Sequence, residues 1–205
     1  MTVLSLTDAG LGPLDGIRLA LEEGERVWLR GPSGSGKSLL LYLAAGLLQP
    51  RNGSVSVNGG SPRPERVAML FQNPDYQLLA PTVEADVALN AASTEAAEAA
   101  QAAAGCADLA QAAIGALSPG QRRKAALAGV LATEAPLVLL DTPFAGMDRA
   151  EAADLWSGLR AFFESRPTAV LGTGEPPLAG PADTIREVAY WHSDTVGRPE
   201  LSSTP

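Results

Sequence analysis

The stretch RVWLRGPSGSGKSLLLYLAAGLL, Arg26 to Leu48, sets the fold class. Arg26 to Arg30 follows the turn residues Glu23 and Gly24 and has an apolar centre, as a short buried strand does. Glycine and serine interrupt it, and a helix-like apolar run follows as far as Gln49. The interruption, Gly31 to Ser38, fits G-x-x-x-x-G-K-S between a strand and a helix. Glycines there let successive backbone N–H groups wrap phosphate oxygens, and the helix that starts near Lys37 adds the positive end of its dipole. Lys37 can neutralise the β and γ phosphates of a nucleotide such as ATP, and the Ser38 hydroxyl can ligate Mg²⁺. Gly31, Ser33, Gly34, Ser35, Gly36, Lys37, Ser38 and Leu39 are the candidate nucleotide-binding positions. The alternative is a flexible loop that happens to precede a helix. The flanking elements, and the placement of one of only two lysines in the chain, weigh against it.

Outward from this cradle, strands and helices alternate. Val67 to Phe71 reads as a buried strand ending at Gln72, Leu137 to Leu140 as another ending at Asp141, and Thr168 to Thr173 as a third. A short hairpin is expected around Ser54 to Val57, and a last strand near Val188 to His192. Helices are expected from Ser118, with Pro119 in the first turn, and over Glu151 to Phe163. The segment 73–117 is alanine-rich and helix-like, with six acids (Asp75, Glu84, Asp86, Glu95, Glu98, Asp108) and no lysine or arginine. This order predicts an α/β fold: a mostly parallel sheet core over 1–72 and 118–205, a small antiparallel β part, and an α-helical insert over 73–117, all in one domain. Residues 197–205 are expected to fray. Asp141, at the end of a buried strand, either holds Mg²⁺ through its water shell or caps the next helix.

Composition narrows the function. The 205 residues are 46% hydrophobic and 19% charged, as in a soluble globular chain. A net charge of −8 argues against a nucleic-acid surface, which needs a basic stripe. Cys106 and His192 are each the only residue of their kind, which excludes an internal disulfide, a thiolate cluster and a multi-histidine metal site. The apolar run Ser38 to Leu48 is too short to span a bilayer, and Met1 to Gly10 lacks the regions of a signal peptide, so a cytoplasmic location is expected.

With these residues placed, the chain resembles the nucleotide-binding subunits of ABC transporters. FQNPDYQLLAPTVEADVAL, Phe71 to Leu89, is similar to the family's Q-loop and the helix after it; LSPGQ, Leu117 to Gln121, to its LSGGQ signature; and LLDTPFAGMD, Leu139 to Asp148, to its Walker B strand and D-loop. Phe71 to Leu89 most resembles the energy-coupling-factor subgroup, importers of vitamins and metal ions. The resemblance implies a P-loop NTPase with a RecA-like core that binds ATP and Mg²⁺. Ser38, Gln72 and Asp141 would surround the metal, and Ser118, Gly120 and Gln121 would face the γ-phosphate held by a second ABC ATPase subunit in a head-to-tail dimer. An ordinary capped helix is the alternative for LSPGQ alone. The resemblance further implies transmembrane transporter subunits as partners, docked on the helical insert at the cytoplasmic face of the membrane. The acids of the insert suit a basic partner, or are simply a solvated face.

Four positions depart from the family's pattern. Thr142 stands where the family usually has the glutamate that polarises the attacking water, and Gly174 where it has the switch histidine. Pro119 replaces a signature glycine, and no aromatic residue precedes Trp28 to stack on adenine. Slow hydrolysis at the chain's own site is therefore expected, with a partner subunit supplying the missing groups to the other site. A nucleotide-dependent regulatory or assembly module that needs no turnover is the second hypothesis. A soluble ABC protein of DNA repair or translation is the third; it lacks support, because neither a long coiled-coil insert nor a second cassette is present.

Overall fold

The computed structural model describes residues 1–174, 176, 177, 183–187, 203 and 204. Two sheets organise them. The first is antiparallel, with β1 (Thr2–Leu11) between β2 (Leu14–Glu22) and β4 (Asn52–Val57). In β2 the buried side chains are Leu14, Ile17, Leu19 and Leu21, close to the every-second-residue pattern of a strand with one wet face. Sequence reading expected a local hairpin around Ser54 to Val57, but β4 pairs with β1, for example Leu6 with Val55. After Val57 the chain forms only a bridge to Gly60, and the Arg66 guanidinium donates to Val57 O at 3.0 Å. The long edge of β1 offers more pairing than a local return strand could.

The second sheet runs β5 (Val67–Leu70), β6 (Leu137–Leu140), β7 (Ala169–Thr173), β3 (Arg26–Arg30), β8 (Asp183–Glu187), all parallel, with the short β9 (Ser203–Thr204) antiparallel at the edge. The inner strands are covered on both faces, so β5, β6, most of β7 and the centre of β3 are apolar rather than alternating, whereas β8 carries Asp183, Thr184, Arg186 and Glu187. Val27, Leu29, Leu139 and Leu171 face α1 (Lys37–Ala44) and the antiparallel sheet. Trp28, Val138, Leu140 and Val170 face α4 (Pro119–Ala132) and α5 (Arg149–Glu164). Trp28 packs edge-on against Trp156, centroids 5.3 Å apart. Beside it Gly172 leaves the ring its space: a Cβ there would lie 2.3 Å from Trp28 Cζ3.

The segment 73–117 holds α2 (Val83–Ala88), α3 (Thr94–Ala103) and single 3₁₀ turns, with Thr82 and Ser93 as hydroxyl caps. Its alanines Ala96, Ala97, Ala100 and Ala103 are buried. The six acids do not form one face. Asp86 is interior and accepts from Leu79 N at 2.6 Å and Ala80 N at 2.9 Å. Asp75 pairs with Arg122 of α4 at 2.9 Å. β5 ends at Leu70, one residue earlier than expected, because the Gln77 side chain takes over its ladder, accepting from Phe71 N and donating to Met69 O. α5 begins at Arg149 because the Asp148 carboxylate caps it, accepting from Glu151 N at 2.9 Å. The expected strand Val188 to His192 lies outside the described residues, as do Glu175 and, apart from Ser203–Thr204, the tail 197–205.

Candidate functional site

The carboxyl ends of β3, β5, β6 and β7 lie along one edge of the sheet, where parallel α/β folds place their ligands. β3 delivers the loop Gly31 to Gly36. Gly34 and Gly36 have φ of +79° and +93°, the left-handed region that favours glycine. Gly36 is the N-cap of α1, and a Cβ there would lie 2.7 Å from Leu14 Cδ2, so the loop is held close to β2. The Lys37 ammonium donates to Gly31 O and Pro32 O, both at 2.7 Å, and to Ser35 Oγ at 3.4 Å, which fixes it across the mouth of the loop. The first N–H groups of α1 have no acceptor within the helix. Leu39 packs its side chain into the core, so its backbone is the part that can serve a ligand.

β6 delivers Asp141, which is fully buried. Thr173 Oγ1, at the end of β7, donates to Asp141 Oδ1 at 2.7 Å and accepts from Thr142 N at 2.9 Å. Asp141 Oδ2 and Thr142 Oγ1 are buried without a hydrogen-bond partner among the described residues. A carboxylate oxygen in that state is what a hydrated divalent cation or its water would satisfy, so Asp141 fits a place beside Mg²⁺. Asp141 is not a helix cap; Asp148 does that for α5. Among the described residues no group of three or more His, Cys, Asp or Glu side chains forms a metal cage.

Thr142 has φ +51°, uncommon for a β-branched residue, and its carbonyl accepts from Arg123 Nη1 at 3.1 Å. The other nitrogen of that guanidinium, Nη2, donates to Gln72 O at 2.9 Å. Gly174, beyond Thr173, donates its N–H to Leu29 O at 3.1 Å and has φ +89°. Among the described residues nothing beyond its chain neighbours lies within 4 Å of a Cβ built at Gly174, but the backbone conformation there favours glycine. Burial pushes the Arg123 guanidinium below its ordinary value, against the attraction of Asp141. Burial, then Asp141, pushes the Tyr42 phenol up.

Ser118, Gly120 and Gln121 stand apart, at the start of α4. Ser118 Oγ accepts from Gln121 N at 3.2 Å and Gln121 Oε1 accepts from Ser118 N at 2.9 Å, a reciprocal cap. This helix start borders a cleft of about 130 Å³ lined also by Asn73, Asp75 and Gly146. Sequence reasoning missed Thr173 and Arg123. The signal for Arg123 was present: Arg123, Leu127 and Leu131 share one helical face, which puts a cation on the apolar side. Thr173 carried none, because its role exists only across strands.

A family model described as "ABC transporter" matches residues 14–145. The energy-coupling factor transporter ATP-binding protein EcfA of Methanoculleus marisnigri is 36% identical, over 69% of this chain and 57% of that protein. EcfA of Methanocaldococcus jannaschii is 31% identical, over 82% of this chain and 67% of that protein. The chain thus spans just over half to two thirds of the length of these relatives. The structure of CbiO1 from Clostridium perfringens, part of the ABC transporter complex CbiONQ, superposes with a TM-score of 0.77 at 25% identity, covering 91% of this chain and 84% of that one. With the loop at Gly31, the acid at Asp141 and a family match across well over half its length, the chain belongs to the ABC transporter family.

Proposed function

We propose that the chain is the ATP-binding subunit of an ABC transporter of the energy-coupling-factor kind. The observation that carries this reading is Asp141 Oδ2, buried and unpartnered on the strand edge that also presents the Lys37 loop. Gly31 to Leu39 hold the nucleotide phosphates, with Lys37 as their counter-charge. Ser38, Gln72 and Asp141 supply the oxygen ligands of Mg²⁺, whose chemistry when bound is to offset charge on the transferring phosphoryl group. Ser118 to Gln121 serve the nucleotide of a second ABC ATPase subunit paired head to tail, with the helix start as the anion-binding element. Residues 73–117 act as a helical subdomain on a core of 1–72 and 118–205. Its exposed Tyr76, Leu79 and Leu89 are candidates for covering by transmembrane subunits. None of the described helices is long and apolar enough to cross a membrane, in keeping with a subunit peripheral to its cytoplasmic face.

Hydrolysis at the chain's own site is slow in this reading, because a threonine hydroxyl cannot take a proton from the attacking water near neutral pH. A positioned general base contributes roughly 10²–10⁴-fold. The second reading, a nucleotide-dependent assembly or regulatory module without turnover, rests on the same two residues, Thr142 and Gly174, at the positions of the family's glutamate and histidine. Mg-ATP binding and steady-state ATPase rates of the purified chain, with Lys37→Ala and Thr142→Glu, test both. The transporter reading expects tight Mg-ATP binding lost in Lys37→Ala, and turnover that rises in Thr142→Glu. Hydrolysis by the unmodified homodimer at an ordinary enzyme rate, on the order of 10 s⁻¹, overturns the slow-site assignment. Thr142→Glu that raises turnover in vitro and changes nothing in cellular transport favours the module.

A further inference from the structure

The two arginines in succession on α4 do different work. Arg122 turns outward, pairs with Asp75 at 2.9 Å and donates to Leu117 O at 2.7 Å. Arg123 turns inward and is 8% exposed, on the same helical face as the buried Leu127 and Leu131. Its hydrogen-bond partners are two main-chain carbonyls, Gln72 O and Thr142 O, rather than a carboxylate. A guanidinium buried against neutral carbonyls is costly, and an apolar side chain would pack α4 into this core with less penalty. The two carbonyls belong to different loops, one after β5 and one after β6. The second of them follows Asp141 directly in the chain.

We propose that Arg123 is a positioning residue for the nucleotide site: its planar fork ties the carbonyl of Gln72, after β5, to the carbonyl of Thr142, the residue that follows Asp141 after β6. The inference rests on the reading of Ser38, Gln72 and Asp141 as Mg²⁺ ligands. It adds a physical link between the helix that begins at Ser118 and the metal site. Moving α4 by a fraction of an ångström moves the Gln72 and Thr142 carbonyls, because a bidentate fork transmits position where a single ammonium does not.

The test is equilibrium binding of ATP to the purified chain, with Mg²⁺ and with a chelator, for the unmodified chain, Arg123→Lys and Arg123→Gln, alongside thermal unfolding of each. Arg123→Lys keeps charge and approximate size but not the fork. It is expected to leave chelator-condition binding within about twofold and to cut the tightening caused by Mg²⁺ on the order of tenfold, the scale of one charge-assisted contact. Arg123→Gln removes the charge as well, so binding without Mg²⁺ is expected to weaken on the order of tenfold. If Arg123→Gln fails to fold, Arg123→Lys alone decides. Loss by one common factor in both conditions, as a merely structural role gives, overturns the inference, and so does no change in either. An unmodified chain that binds ATP but is not helped by Mg²⁺ overturns the metal-site reading first, and the inference with it.

Discussion

Thr173→Val removes one hydroxyl and keeps the shape, and the structure sets what that hydroxyl is worth. Thr173 is 1% exposed, so water cannot replace what is lost. Its Oγ1 donates to Asp141 Oδ1 at 2.7 Å and accepts from Thr142 N at 2.9 Å. Asp141 Oδ2 already has no partner, so the substitution leaves the carboxylate without a hydrogen bond from protein. A bond to a charged group contributes about 1.5–3 kcal/mol, and a buried N–H left unpaired costs about 1–3 kcal/mol. The added methyl returns about 1 kcal/mol of burial. The net loss is about 1.5–5 kcal/mol, or roughly 3–20 °C in Tm for a chain of this size. Denaturant unfolding of the unmodified chain, Thr173→Val and Thr173→Ser is the assay. Thr173→Ser keeps both bonds and loses only a methyl, about 1 kcal/mol. The reasoning fails if Thr173→Val lies within about 0.5 kcal/mol of the unmodified chain, a surface-like effect, or if Thr173→Ser is as damaging.

Two further outcomes follow from packing. Gly172→Ala would set a Cβ 2.3 Å from Trp28 Cζ3, with the ring held between Phe144 and Trp156, and is expected to cost at least about 3 kcal/mol. The double variant with Trp28→Leu should recover part of that loss in a denaturant-based double-mutant cycle. Burial first, then Asp108, pushes the Cys106 thiol up from 9.0 to about 12. Cys106 should therefore resist a thiol reagent at pH 8 until the chain unfolds. The unfolded chain loses this proton first, so stability attributable to the thiol is complete below pH 9 and falls as pH rises toward 12. Reagent kinetics across a denaturant series check both statements.

The family's motif order was legible because each motif is local. A glycine loop between a strand and a helix, a helix cap at Ser118 with Pro119 in the first turn, and apolar runs that end in Gln72 and Asp141 are set by neighbours a few residues away. The hairpin around Ser54 to Val57 was misread because pairing partners of a strand are not encoded beside it; β1 won through its longer edge. The insert's acids were expected to meet a basic partner or simply to face solvent, yet Asp86 turned inward to hold loop N–H groups that only the folded chain brings near.

The order of elements, the phosphate loop and the departures from the family's pattern, Thr142 and Gly174 among them, could be read along the chain. Only the tertiary structure decided that Thr173 would hold Asp141 and that Arg123 would join Gln72 to Thr142. The reason is that hydrogen bonds between strand ends and a packed helix depend on distances across the sheet, whereas helical periodicity and turn chemistry act along the chain.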